Sequence, residues 1–240
     1  VAADWKVASP DVRGDCQPVI GGIVLDMDGL MLDSEAMNRV AWQGAARELG
    51  FDLTHEFYAT LIGQTTPVSE QQVADHFGPA FPREVFRARR RQLWRARAEH
   101  EGIPHKEGLL AFLDGMDQLR LPLAVATSTA TEGAEFSLER AGIRGRFRAL
   151  VAGDQVPRGK PAPDIYLEAA RRLGLDPGRG VALEDSSPGV LAASSAGMRV
   201  LLIPDLAAPT PAAMAAASAQ LSSLYDALAW VRETLAVTTR

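Results

Sequence analysis

Short apolar segments alternate with helical patterns along most of the chain, and this alternation restricts the fold more than any other feature. The apolar segments are rich in β-forming residues and lie at 19–26, 121–127, 148–154, 180–185 and 198–205. Segments with helical periodicity lie between the later ones, at 131–141, 163–173 and 188–196. Strands that alternate with helices favour a parallel sheet covered by helices on both faces. The sequence therefore predicts an α/β fold.

The alternation is interrupted between the first two apolar segments, where residues 36–101 show helical patterns and no comparable strand. A crossover between parallel strands needs only one helix, so this long insertion predicts a second, small helical domain. The Ala-biased segment 207–220 is expected to lead into a final helix at 221–235. The expected divisions are a flexible extension at 1–18, a Rossmann-like α/β core at 19–35 and 103–240, and the helical domain at 36–102.

Composition restricts the location and the partners of the chain. Apolar residues make up 47% of the 240 residues and the formal net charge is −5, so we expect a globular protein that does not bind nucleic acid. No stretch reaches the roughly 18 apolar residues of a membrane span, and the charged N-terminal segment lacks the pattern of a signal peptide. The single cysteine, Cys16, excludes an intrachain disulfide and favours a cytoplasmic location.

The first apolar segment ends in two carboxylates one residue apart, Asp26 and Asp28, followed by Gly29. An Asp-Gly pair is a common turn, and this is one interpretation of the motif. In the other, one carboxylate attacks as a nucleophile while the second donates and accepts a proton. A buried carboxylate costs several kcal/mol unless it is paired, so the second interpretation requires a cation nearby.

Two further motifs follow later strands. Thr127 and Ser128 lie at a strand end before a helical pattern, where hydroxyl and backbone donors either cap the helix or bind an anion such as phosphate. Lys160 precedes two prolines in "GKPAPD". It is either an exposed lysine or a cation fixed in place to neutralise a phosphate and a carboxylate.

Glu184 and Asp185 are adjacent acids at the end of another apolar segment. They either begin a helix cap or, as hard oxygen ligands without a nearby His or Cys, bind Mg²⁺. In open parallel sheets the carboxyl ends of the strands meet at one edge, where ligands bind. Two acids, hydroxyl groups, a lysine and an acid pair at one edge fit phosphoryl transfer, which needs a nucleophile, a proton carrier and charge neutralisation.

The segments "DMDGLMLDSE", "ATST", "GKPAPDIY" and "LEDSSPG", in that order, resemble the four signature motifs of the haloacid dehalogenase superfamily. The resemblance covers roughly residues 19–205 and is strongest for the subgroup with a helical cap between the first two core strands. It implies that Asp26 forms an aspartyl-phosphate and that Asp28 protonates the leaving group and then activates water. It also implies phosphate binding by Thr127 and Lys160. The implied Mg²⁺ ligands are Asp26, the main-chain carbonyl of Asp28, and Asp185, with Glu184 assisting.

Within that family the chain resembles sugar-phosphate phosphatases and beta-phosphoglucomutase, which share "KPAPD" and "LEDS". Mutases of this type carry a cap histidine and a cap arginine where this chain has Asn38 and Thr66. The resemblance therefore favours a monomeric phosphatase of small phosphorylated sugars or nucleosides over a phosphosugar mutase, and both over a non-catalytic member. A lid determines which substrate it encloses, so the cap loop residues Gly63, Gln64 and Thr65 are expected to contact the substrate.

Arginines are concentrated at 83–97. The apolar residues Phe86, Leu93 and Trp94 indicate one buried face there, so most of these arginines are expected to be solvated. One or two near Arg89–Arg91 are hypothesised to face the cleft and attract an anionic substrate. Lys106 receives no role.

Overall fold

The computed structural model describes residues 20–62 and 66–238. A six-stranded parallel sheet forms the centre of the larger part of the molecule. The strands lie in the order β3-β2-β1-β4-β5-β6, and each pairs in parallel with its neighbours. Their bounds are β1 Gly22–Leu25, β2 Leu123–Ala126, β3 Ala149–Val151, β4 Gly180–Glu184, β5 Arg199–Leu202 and β6 Ala219–Gln220. This confirms the predicted α/β fold.

Helices cover both faces of the sheet because successive strand side chains point to opposite sides. In β1, Ile23 and Leu25 join one apolar cluster with side chains of α5, α6 and α10, whereas Val24 joins a second cluster with side chains of α7, α8 and α9. The bounds of these helices are α5 Leu109–Gln118, α6 Thr131–Arg140, α7 Asp164–Leu173, α8 Ser187–Ser195, α9 Pro211–Ala216 and α10 Leu224–Thr238. β1 is buried throughout, as expected for a central strand.

Between β1 and α5 the described residues form four helices, here called the helical insertion. Their bounds are α1 Glu35–Glu48, α2 His55–Ala59, α3 Thr66–Phe77 and α4 Arg83–Glu101. The insertion has an apolar cluster of its own that includes Trp42, Tyr58 and Phe86, and the rings of Trp42 and Phe86 pack edge to face at 5.4 Å. Helix α4 also contacts the core, because Ala98 belongs to the larger cluster and Trp94 packs on Phe136.

The arginines of α4 mostly form ion pairs on the outer surface. Arg97 pairs with Glu101 at 2.9 Å, Arg89 pairs with Glu48, and both arginines are more than a third exposed. Arg90 differs, since only 12% of its side chain is exposed. Although α4 is 19 residues long, no helix within 20–62 and 66–238 is both long and apolar enough to cross a membrane.

Three short elements, α2, α9 and β6, were not predicted from the sequence. The segment 207–220 contains α9 and the two-residue strand β6 rather than a lead into the last helix. Thr210 accepts a hydrogen bond from the backbone NH of Ala213 and so begins α9, while β6 pairs with β5 through backbone groups. Helix α2 has five residues. Elements this short do not complete enough periods to produce a hydrophobic pattern.

Candidate active site

The order of the strands brings the predicted site residues to one place. From β1 the chain continues to β2 and β3 on one side of β1, and it then crosses to β4 on the other side. The carboxyl end of β1 is therefore the point where the strand order reverses. Leu25 pairs with both Val125 and Leu183, and the chain therefore delivers Asp26, Thr127 and Glu184 to adjacent positions. Crevices at this point of an open sheet are where ligands bind.

Lys160 joins two of these acids. Its ammonium group donates to Asp26 Oδ1, to Glu184 Oε1 at 2.5 Å and to the main-chain carbonyl of Ala126 at 3.0 Å. The side chains are nearly inaccessible, with exposures of 5% for Lys160, 10% for Asp26 and 0% for Glu184. All three hydrogens of the ammonium group are used, so the position of Lys160 relative to Asp26 is fixed before any substrate binds.

Glu184 is held by groups of the protein. Tyr166 Oη donates to Glu184 Oε1 at 2.5 Å, and Ser186 donates to Oε2 through its NH at 3.2 Å and its hydroxyl at 3.0 Å. Gly189 is needed beside it because a Cβ there would overlap the carboxylate. This full set of donors makes Glu184 an anchor for Lys160, and its predicted contact with Mg²⁺ stays a prediction. Tyr166 was not recognised from the sequence.

Asp28 lies at the accessible rim of the site. Thr129 Oγ1 donates to its Oδ2 at 2.8 Å and Ser34 Oγ to its Oδ1 at 3.4 Å. Protein atoms around the carboxyl group displace water and raise the pKa of Asp28, against the lowering effect of these two hydrogen bonds. An accessible carboxyl group with a raised pKa is suited to proton transfer.

The hydroxyl motif after β2 is divided between different roles. Thr127 is buried and its Oγ1 accepts from the NH of Thr129 at 3.1 Å, which bends the loop before α6. Ser128 is exposed at the same edge, and Thr129 contacts Asp28. Thr129 belongs to the segment "ATST", but the sequence of this segment alone does not show which of its hydroxyl groups contacts Asp28.

Asp185 packs closely against Gly29 at the same edge of the sheet. Gly29 has φ +89°, and a Cβ there would overlap Asp185 Oδ2. Burial, and then the charges of Asp26 and Glu184, raise the pKa of Asp185, and burial likewise raises the pKa of Asp26 even though Lys160 lowers it. Carboxylates that repel each other in this way are stabilised by a cation.

The donors fit Mg²⁺ in particular. Within 20–62 and 66–238, no group of three or more His, Cys, Asp or Glu side chains is arranged to hold a metal ion by itself. Mg²⁺ commonly uses only one or two carboxylates and takes its other ligands from water and substrate phosphate. Asp26 and Asp185 supply that number.

Lys106, which received no role from the sequence, connects the two chain segments between the insertion and the core. Its ammonium group contacts Asp205 Oδ1 at 2.6 Å and Asp33 Oδ1 at 3.3 Å. The backbone NH of Asp33 also donates to the carbonyl of Pro104 at 2.9 Å.

The predicted substrate contacts Gly63, Gln64 and Thr65 lie outside the described residues, whereas Asn38 and Thr66 line a cavity of the insertion.

Residues 23–203 match the family model of the haloacid dehalogenase-like hydrolases. The chain belongs to this family. The match spans all four motifs and the helical insertion between the first two of them, and it confirms the family predicted from the sequence.

Relatives in this haloacid dehalogenase-like family include named phosphatases. The chain is 34% identical over 182 residues to the fructose-1-phosphate phosphatase YqaB of Escherichia coli. The aligned region covers 74% of this chain and 93% of that protein. It is 34% identical over 189 residues to the Drosophila melanogaster protein named probable pseudouridine-5′-phosphatase, covering 76% and 80%. Among solved structures, a Thermotoga maritima protein assigned as a beta-phosphoglucomutase superposes with a TM-score of 0.78 at 28% identity, covering 88% and 98%.

Proposed function

We propose that this protein is a Mg²⁺-dependent phosphatase that hydrolyses a small phosphorylated metabolite, a sugar phosphate or nucleoside monophosphate, through an aspartyl-phosphate. The observation that carries the proposal is the buried contact of Lys160 with Asp26 and Glu184, next to the accessible acid Asp28. The named phosphatases among the relatives support the same reaction class. We take residues 36–102 as the cap and the protein as a cytoplasmic monomer.

The reaction proceeds in two displacements. Asp26 Oδ attacks phosphorus, the bond from phosphorus to the ester oxygen breaks, and Asp28 gives its proton to the departing alkoxide. Asp28, now a carboxylate, then takes a proton from water as the water oxygen attacks the phosphorus of the aspartyl-phosphate. The bond between phosphorus and Asp26 Oδ breaks, inorganic phosphate leaves, and both acids return to their starting states. Thr129 and Ser34 hold Asp28 through both proton transfers.

The negative charge of the phosphoryl group is neutralised by protein groups that are already in place before the substrate binds. Lys160 lies against Asp26 and so next to the phosphoryl oxygens that bind there, while Thr127 and Ser128 present donors from the neighbouring strand end. Preorganised donors of this kind stabilise the charge of the transition state without reorganising during the reaction. Asp26, Asp185 and the main-chain carbonyl of Asp28 would hold Mg²⁺, which would supply additional neutralisation of the phosphoryl oxygens.

Hydrolysis is favoured over a mutase reaction by the insertion. A mutase has to hold a second phosphate in the cap, and the two positions where related mutases carry His and Arg are the uncharged Asn38 and Thr66, both of which line the cavity there.

A panel of phosphate esters incubated with Mg²⁺ tests the proposal. Released inorganic phosphate is the expected result. Isomer interconversion that a bisphosphate stimulates would indicate the mutase instead, and inertness toward the whole panel would contradict catalysis.

A further inference from the structure

Tyr166 brings a hydroxyl group into an otherwise apolar part of the core. Its side chain is fully buried in the first turn of α7, in the apolar cluster that also contains Val24 and Ala182. A buried hydroxyl group costs free energy unless it has a hydrogen-bond partner. A phenylalanine would fill almost the same space without that cost, so the role of Tyr166 depends on what its hydroxyl group contacts.

The partner of this hydroxyl group is Glu184. Tyr166 Oη donates to Glu184 Oε1 at 2.5 Å, and the same oxygen accepts from the ammonium group of Lys160 at 2.5 Å. The other oxygen, Oε2, accepts from the NH and the hydroxyl group of Ser186. The carboxylate cannot turn without breaking at least one of these bonds. Tyr166 therefore helps to set the direction in which Glu184 attracts Lys160.

The ring of Tyr166 also contacts the lysine. The ammonium nitrogen of Lys160 lies 5.2 Å from the centre of the ring, which is within the range of a cation–π attraction. Tyr166 thus acts on Lys160 in two ways, directly through its ring and indirectly through the carboxylate that its hydroxyl group holds.

Lys160 and Tyr166 lie six positions apart on one chain segment. The backbone NH of Tyr166 donates to the carbonyl of Pro163 at 3.0 Å, so α7 begins directly after the prolines that follow the lysine. The segment brings the ammonium group and the phenol to the same oxygen of Glu184. Because Lys160 also bonds to Asp26, a displacement of Glu184 would reach the attacking carboxylate through a single side chain.

From these contacts we infer that Tyr166 is a positioning residue for phosphoryl transfer, whose hydroxyl group fixes Glu184 so that Glu184 holds Lys160 against Asp26. Tyr166 acts through these side chains and not on the phosphoryl group. Without its hydroxyl group, Glu184 keeps the bond from Lys160 but loses its fixed orientation, and the distance between Lys160 and Asp26 is no longer set. The inference rests on the proposed phosphatase activity and adds a residue to its site.

Steady-state kinetics of Tyr166→Phe with Mg²⁺ test the inference, using p-nitrophenyl phosphate and the best ester of the panel. We expect kcat to fall by roughly fivefold to tenfold, as for loss of one hydrogen bond to a charged group. KM should change less than twofold, because Lys160 lies next to the phosphoryl group in both displacements and both slow together. The loss should be equal for the two esters, since Lys160 does not contact the leaving group. An unchanged kcat would overturn the inference.

A double-mutant cycle tests whether the effect passes through Glu184. In Glu184→Gln, Lys160 faces an uncharged amide, and its position no longer depends on the orientation of a carboxylate. Adding Tyr166→Phe to Glu184→Gln should therefore lower kcat by less than a further twofold. High enzyme concentrations extend the measurement to slow variants. A loss in the double variant equal to the product of the two single losses would contradict transmission through Glu184.

Two control variants separate positioning from packing. Tyr225→Phe removes the hydroxyl group of a half-exposed tyrosine, and Ile165→Val removes a methyl group from a fully buried neighbour in the same apolar cluster. Both should keep the wild-type kcat, although Ile165→Val should lower the melting temperature by about 2–4 °C. A loss of kcat in Ile165→Val as large as that in Tyr166→Phe would overturn the inference.

The wild-type protein distinguishes failure of this inference from failure of the proposed function. If the wild type is inert toward every ester, the phosphatase proposal and the role of Tyr166 are both refuted. If the wild type turns over and Tyr166→Phe matches it, the role of Tyr166 alone is refuted.

Discussion

Lys160 and Glu184 lie 2.5 Å apart in a part of the molecule that water scarcely reaches. The same ammonium group also bonds to Asp26, so one cation serves two buried carboxylates. Burial lowers the pKa of Lys160, but the charges of Asp26 and Glu184 outweigh burial and raise it. The lysine consequently stays charged and holds Asp26 in position for attack.

Replacing this lysine should affect both folding and turnover. Lys160→Met leaves Asp26 and Glu184 without their shared partner, and loss of one member of a buried ion pair typically costs about 3 to 5 kcal/mol. We expect a decrease of that size in the free energy of unfolding, measured with urea, and loss of phosphatase activity. Arg158→Met is the control, because Arg158 lies on the same segment with 70% of its side chain exposed. Equal stability of the two variants would contradict the account of Lys160.

Gly29 should not tolerate a side chain. Gly29→Ala places a Cβ against Asp185 at φ +89°, and we expect a loss of about 2 kcal/mol or more in stability together with loss of activity. Gly142→Ala is the matched control, since Gly142 also has a positive φ of +71° but no described atom within 4 Å of the position that a Cβ would take. It should show the backbone cost of about 1 to 2 kcal/mol alone and retain activity. Activity retained in Gly29→Ala would contradict the packing of Asp185 on Gly29.

The sequence predicted the sheet and the placement of the main site residues because both follow from local patterns. Apolar runs that end in Asp26, Thr127 and Glu184 identify strand ends, and parallel pairing brings such ends to one edge. The partners of these residues depend on tertiary geometry. Tyr166 reads as an ordinary core residue of α7, and its contact with Glu184 appears only when α7 packs on β4. The sequence carries no local signal for that contact.

Contacts at the junction of insertion and core could not be predicted from the sequence either. Lys106 reaches Asp205, 99 positions later in the chain, and no periodic pattern connects residues at such a distance. The orientation of the α4 arginines was predicted only in part. Apolar spacing indicated that most of them are exposed, and the hypothesis that one or two near Arg89–Arg91 face the cleft did not identify which one. Arg90 lines a cavity of the insertion and pairs with Glu70.

The stability that the ion pairs of Glu70 with Arg87 and Arg90 contribute should depend on pH. Burial alone would raise the pKa of Glu70, but Arg87 and Arg90 outweigh it and lower the pKa below the ordinary 4.5. A lowered pKa in the folded state stabilises the protein above the pKa of the unfolded chain, and the contribution is lost as the pH falls through the folded value.

Glu70→Gln should therefore destabilise the protein by about 2 kcal/mol at pH 7, and its difference from wild type should shrink below pH 4.5. Urea unfolding at several pH values measures this difference. Glu84→Gln is the control, because Glu84 pairs with Arg87 at the surface with 77% of its side chain exposed. A difference that grows toward acid pH would contradict the ion-paired state of Glu70.

Metal binding should be visible without an activity assay. The repulsion of Asp185 by Asp26 and Glu184 predicts that Asp185→Asn raises the melting temperature in EDTA, since it removes one of the opposed charges. In wild type, added Mg²⁺ should raise the melting temperature, as any ligand of the folded state does, and this gain should be reduced or absent in Asp185→Asn. An equal gain in both proteins would exclude Asp185 as a ligand.

The central claim is that Asp26 carries the phosphoryl group between the two displacements. Mixing the protein with a ³²P-labelled phosphate ester and Mg²⁺, quenching in acid after a fraction of one turnover and digesting the chain tests this claim directly. We predict label on the peptide that contains Asp26 and none in Asp26→Asn, which should bind phosphate esters but not turn them over. Turnover near the wild-type rate in Asp26→Asn, or label on a different peptide, would contradict the mechanism.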